Sequence, residues 1–211
     1  MKKIIIFKTD RIGDFVNFSP CLKILKDNIK DSHITVVCSK YNHQIAKNYK
    51  EIDKTIIIKK NLFLDIFFFL KNLFSTSYDY LFQFDGNKRS YLLSCFVLTK
   101  IRSSLFFSKT INFLGYRYKR IRPNFFLRIF FKNSVLCNDD YNLSSNDIHY
   151  QTLYFKLLEN LHFKINYQQN VFYLDNKFTD EFNKIYQQIN SSFYLFHIDE
   201  KANTLNSEQF N

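Results

Sequence analysis

Lys2-Lys-Ile-Ile-Ile-Phe-Lys8 runs into Thr9-Asp10-Arg11-Ile12-Gly13, and then into Asp14-Phe-Val-Asn-Phe-Ser-Pro20-Cys-Leu-Lys-Ile-Leu-Lys-Asp-Asn-Ile29. The first block is a short β-branched run bounded by charge. It is too short for the core of a signal peptide and reads as a buried strand over Ile4–Lys8. The second block reads as a turn. In the third, apolar residues recur at 15, 18, 22, 25 and 29, which is the period of a helix. Pro20 interrupts that helix, as a kink or as a second start.

The same alternation continues outward from this unit. His33–Cys38, Lys54–Ile58 and Asp79–Phe84 read as strands; Tyr41–Tyr49, Leu62–Phe74 and Ser90–Leu98 read as helices. Strands and helices in this rhythm make βαβ units. Such units build a parallel sheet covered by helices on both faces, and the near-continuous apolar strands agree with burial on both sides. The expected fold class is therefore α/β with a Rossmann-like parallel sheet. Ile101–Phe107 is a candidate further strand, and Gly115–Asn138 is the least regular segment. Later, Asp147–His162 and Lys177–Ile189 read as helices, and Val171–Leu174 and Phe193–His197 as strands. The change of domain falls near Tyr167–Ser192.

Composition narrows the function. The chain has 211 residues, 3 Gly and 2 Pro, with 46% hydrophobic and 23% charged residues, a globular profile that excludes collagen-like and low-complexity chains. The net charge is +11, and it is unevenly placed. Lys88, Arg89, Lys100, Arg102, Lys109, Arg117, Lys119, Arg120, Arg122, Arg128 and Lys132 lie in a stretch without an acid. A run of one sign attracts phosphates, lipid head groups or nucleic acid; the plain alternative is a solvated basic face. Nucleic-acid binding rests on charge alone, because no known nucleic-acid motif accompanies it. Cys21, Cys38, Cys95 and Cys137 form no CxxC pair and have no His cluster, so no metal site is expected and reduced thiols of a cytoplasmic protein are. Leu62–Phe74 contains Asp65 and Lys71 and is too short to span a bilayer. It reads as an amphipathic helix covering a sheet, with a membrane-lying helix as the alternative.

Two segments carry candidate chemistry. In Arg11-Ile-Gly13-Asp14, which follows strand one, Gly13 permits a tight turn and close approach. Asp14 stands at a helix N-terminus, either as a cap or as a base for a substrate hydroxyl. In Asp85-Gly86-Asn-Lys88-Arg89-Ser90, which follows strand four, the turn and its basic pair form an anion site or an ordinary strand–helix connection. A dinucleotide glycine fingerprint is absent.

The order Arg-Ile-Gly-Asp14 with Pro20 six residues on, then Asp85-Gly-Asn-x-Arg89-Ser90, then Asn-Asp-Ile-His149-Tyr-Gln, resembles glycosyltransferase family 9, the ADP-heptose:lipopolysaccharide heptosyltransferases. The resemblance is strongest over Lys3–Ser90. It implies a GT-B fold, with residues 1–166 as the acceptor-binding Rossmann-like domain. Residues 167–211 would begin a truncated nucleotide-sugar-binding domain. It implies inverting transfer from a nucleotide-sugar such as ADP-heptose, a co-substrate, with no cofactor and no metal for donor binding. Asp14 would be the general base, while Arg11, Gly13, Asp85, Gly86, Lys88 and Arg89 would face an anionic glycan or glycolipid acceptor. Lys201 is the candidate for the donor phosphate. The protein would be cytoplasmic, docked peripherally on the inner membrane and acting in cell-envelope glycan assembly. The missing nucleotide-binding segments imply that this chain alone is incomplete. The alternative is a non-catalytic module that binds anionic lipid or polyanion.

Overall fold

The computed structural model describes residues 1–59, 61–73, 76–113, 116–123, 125–138 and 150–165. All lie in the first of the two units into which the chain divides, Met1–Tyr173 and Leu174–Asn211. The expected elements beyond residue 165, with Lys201, and His149 before them, lie outside the described residues.

The elements are β1 (Lys2–Lys8), α1 (Ile12–Phe18), α2 (Pro20–Asn28), β2 (Ser32–Cys38), α3 (Lys40–Ala46), β3 (Lys54–Ile57) and α4 (Leu62–Leu73). They continue with β4 (Tyr78–Gln83), α5 (Lys88–Cys95), β5 (Thr99–Phe113), β6 (Tyr116–Arg122), α6 (Phe125–Arg128), β7 (Asn133–Asn138) and α7 (Tyr150–Glu159). They form one sheet in the order β3-β2-β1-β4-β5-β6, with β7 also paired to β5. β6 runs antiparallel to β5, and the other pairings are parallel.

β1 sits in the middle because its side chains are apolar on both faces. Ile4 and Ile6 enter a cluster with Phe15, Phe18 and Leu22 of α1 and α2 and with Leu157 and Leu158 of α7. Ile5 and Phe7 enter a second cluster with Phe69 of α4 and Tyr91 and Leu93 of α5. Alternation at period two thus feeds two helical layers, as the expected Rossmann-like fold requires. Pro20 marks a second start: Ser19 joins α1 to α2 and Pro20 opens the new helix, where its missing N–H costs nothing.

Within Gly115–Asn138, read from sequence as the least regular segment, the described residues form strand, helix and strand. β5 also runs beyond the expected Ile101–Phe107. Its first part pairs with β4 from Tyr78↔Thr99 to Gln83↔Ser104, and its middle with β7 from Ser103↔Asn133 to Ser108↔Asn138. From Phe107↔Arg122 to Phe113↔Tyr116 it pairs with β6, so that Phe107 and Ser108 are paired to both β6 and β7. The backbone of this hairpin therefore continues past the carboxyl ends of the parallel strands. It carries Lys109, Arg117, Lys119, Arg120 and Arg122 of the acid-free run.

Candidate active site

β1 and β4 are neighbours, but their helices depart in opposite directions along the sheet, since β2 lies to one side and β5 to the other. Such a switch point opens a crevice at the carboxyl ends of the strands. Both sequence motifs lie there.

Lys8 closes β1 and is fully buried. Its Nζ donates to Asp10 Oδ2 at 2.6 Å, to Tyr154 Oη at 2.9 Å and to the Phe84 carbonyl at 3.3 Å. The ammonium also lies 4.8 Å from the centre of the Tyr154 ring. Three donors meet three acceptors, the condition for keeping a charge in the interior. Burial works against the ammonium, but Tyr154 and Asp10 outweigh it and hold its pKa above the ordinary lysine value. Burial pushes the Asp10 carboxyl up to about 7, against the pull of Lys8 and with help from the charges of Asp85 and Asp14. Asp10 Oδ1 is buried without a hydrogen-bond partner among the described residues. Asn42 Nδ2 donates to the Asp10 carbonyl at 2.7 Å and to the Lys8 carbonyl at 3.3 Å, fixing the loop from the α3 side.

Asp14 stands in the first turn of α1, where negative charge is favoured. It is half-buried and makes no hydrogen bond or ion pair with the described residues. The capping role open from sequence falls away, because Arg11 occupies the N-cap position and no side chain caps the helix. The charge of Asp14 adds to the upward shift of the Asp10 carboxyl and of the Tyr154 hydroxyl. Gly13 does not form the expected tight turn. It lies inside the helix, and a Cβ built on it would meet nothing within 4 Å. What this glycine provides is bare backbone beside Asp14.

The second motif is more structural than its sequence suggests. Asp85 was expected at the acceptor, yet it is fully buried. Its Oδ2 accepts from Thr9 N at 2.7 Å and Thr9 Oγ1 at 2.8 Å. Its Oδ1 accepts from Ser90 Oγ at 2.7 Å, Gln83 Nε2 at 2.9 Å and Asn87 N at 3.0 Å. Five donors saturate the carboxylate, which ties the loop after β1 to the loop after β4. Gly86 likewise serves packing: a Cβ there would come within 3.1 Å of the Phe107 ring. Arg89 is paired with the buried Asp65 of α4, which draws it toward the second helical layer. Lys88 and Arg11 are exposed.

Among the sequence-predicted residues, the structure thus brings Arg11, Gly13, Asp14 and Lys88 to the open rim. Asp85, Gly86 and Arg89 build the floor beneath. Lys8, Asp10, Asn42 and Tyr154 escaped the sequence reading. A lysine closing an apolar strand was the one available signal; Tyr154 lies 146 positions from Lys8.

No protein-family model matches the chain, and no curated protein matches it in sequence. Solved structures do. A family 9 glycosyltransferase of Veillonella parvula superposes with a TM-score of 0.64 at 18% identity, over 89% of this chain and 49% of that one. The chain shares the fold of glycosyltransferase family 9. The E. coli heptosyltransferase WaaC agrees, with ADP (TM-score 0.58, 14% identity, 80% of this chain and 50% of that one) and with ADP-2-deoxy-2-fluoro heptose (0.57, 13%, 80% and 51%). The resemblance stated from the motifs is therefore present in three dimensions. The chain spans about half the length of these family 9 structures.

Proposed function

We propose that this chain supplies the acceptor side of a sugar-transfer site, with Asp14 as the general base. The observation that carries the proposal is the setting of Asp14. It is a half-buried carboxylate with no hydrogen bond to the described residues, next to a bare glycine, at the switch point of a family 9 glycosyltransferase fold. In the proposed reaction the acceptor hydroxyl gives its proton to Asp14. Its oxygen then attacks the anomeric carbon of a nucleotide-sugar, the bond to the nucleoside diphosphate breaks, and the configuration inverts. The leaving diphosphate carries away the electron pair.

Ligands of the WaaC structures, ADP and a fluorinated ADP-heptose, support a nucleotide-sugar donor for this protein. An anionic glycan or glycolipid acceptor fits the exposed cations at the rim, Arg11 and Lys88, and the basic β5–β6 hairpin at the same end of the sheet. Lys201 remains the proposed contact for the donor phosphate, and the scheme uses no cofactor or metal ion. Lys8, Asp10 and Tyr154 act through position: they pin the loop from which α1 starts.

The test is acceptor-dependent release of nucleoside diphosphate from ADP-heptose, using a phosphorylated, Kdo-bearing lipid. Asp14→Asn is expected to lower release by about 10²–10⁴-fold. Release that survives this change unaltered would remove Asp14 from the chemistry. Salt-sensitive acceptor binding with no release by the wild type would favour a binding module.

A further inference from the structure

The first turn of α1 has two sides. Ile12 and Phe15 share one stripe of the helix, and the Phe15 ring meets that of Tyr49, just beyond α3, at 5.8 Å. Asp14 and Phe18 share another stripe, and the Phe18 ring meets those of Phe84, after β4, and Tyr154 of α7 at 4.9 and 6.2 Å. Ile12 therefore lies on the α3 side, and Asp14 on the side of β4 and α7. Gly13 separates them. It is exposed, with nothing within 4 Å of where a Cβ would stand.

On the α3 side the rim of the crevice is apolar. α3 contacts α1, and the bond from Asn42 Nδ2 to the Asp10 carbonyl ties its first turn to the loop before α1. The residue before Asn42, Tyr41, is 75% exposed, and Ile12 is 45% exposed. Arg11 and Lys40, next to them in the chain, are exposed cations. Two side chains bounded by cations make too small a patch for a protein interface. They suit a ring with an apolar face and an acidic edge. The face of the tyrosine ring is the negative part of its quadrupole, and it attracts the polarised C–H groups on the flat side of a sugar.

We infer that the apolar face of an acceptor sugar ring rests on Tyr41 and Ile12, and that the acceptor crosses bare Gly13 to reach Asp14. Tyr41 is then a specificity-determining residue, which selects ring-shaped acceptors over other anions of the same charge. The inference rests on the sugar-transfer reading of the site, but it concerns binding and is tested apart from the chemistry.

The experiment is calorimetric titration of the full chain with a phosphorylated, Kdo-bearing glycan, joined to saturation-transfer NMR on the C–H protons of the glycan. Tyr41→Ala is expected to weaken binding about tenfold, by the same factor at low and high salt, and to remove transfer to the stacked ring. Tyr41→Phe keeps the ring face and should stay within about twofold of the wild type. Arg11→Gln should weaken binding at low salt and much less at high salt. In turnover the Tyr41→Ala effect should fall on the acceptor KM, whereas that of Asp14→Asn falls on kcat. Undiminished affinity of Tyr41→Ala would overturn the inference even where Asp14→Asn abolishes release. Equal losses in Tyr41→Ala and Tyr41→Phe would assign the contact to the hydroxyl and overturn it too. A ring-dependent loss of affinity together with release that Asp14→Asn leaves unaltered would uphold the platform and remove the base. A wild-type chain that does not bind the glycan would overturn both.

Discussion

Lys8 is a positive charge placed where only hydrogen bonds make it tolerable. Lys8→Met removes the charge and leaves Asp10 and Tyr154 facing an apolar chain. It is expected to cost about 3 kcal/mol in denaturant unfolding, the penalty for breaking a buried pair. Tyr154→Phe removes one acceptor and should cost about 1 kcal/mol or a little more. Asp10 predicts a pH effect with a definite sign. Its folded pKa, about 7, stands well above the ordinary aspartate value of 3.8. The folded state therefore holds the proton more tightly than the unfolded state. The associated stability is full below the unfolded pKa and is lost as pH rises through about 7. Asp10→Asn should flatten this component, so that the Tm difference between variant and wild type changes across pH 4–8 in favour of the variant at the alkaline end. Asp79 acts in the opposite sense. Its hydrogen bond to Lys100 lowers its pKa to about 2, and its contribution is lost as pH falls through that value.

Elements explain why the two glycines of the motifs part company. Gly13 lies in the first turn of α1 with open space where a Cβ would be. Gly13→Ala should raise stability by up to about 1 kcal/mol through helix propensity while weakening acceptor binding, a combination read by pairing melting curves with acceptor affinity. Gly86→Ala presses on the Phe107 ring and should destabilise by about 1 kcal/mol. The first four strands and their helices were legible in sequence because each carries an uninterrupted apolar period. β5 was legible only over Ile101–Phe107, because Ser108, Lys109, Thr110 and Asn112 break its apolar pattern beyond that stretch. In β6, cations among the tyrosines hid a strand whose pairing is fixed by its partner. The position of Asp14 in the first turn after β1 was readable from a motif. The floor of the site was not, since Asp85 looks the same in sequence whether it faces a ligand or five internal donors.

At the scale of the molecule, the decisive feature is the coincidence of three things at one end of the sheet: the switch point, the carboxylate of Asp14, unpaired among the described residues, and the backbone of a basic hairpin. Topology alone produces this meeting, since β1, β4 and β5 are adjacent in space though far apart along the chain. Charge predicts that acceptor affinity falls steeply with ionic strength. The most direct test is an NMR titration of isotope-labelled protein with a phosphorylated, Kdo-bearing glycan, following the Asp14 carboxyl carbon and the Gly13 amide. The account predicts that both signals move together and saturate, and that the buried Asp85 carboxyl stays still. Saturable binding that leaves Asp14 and Gly13 unmoved would contradict it.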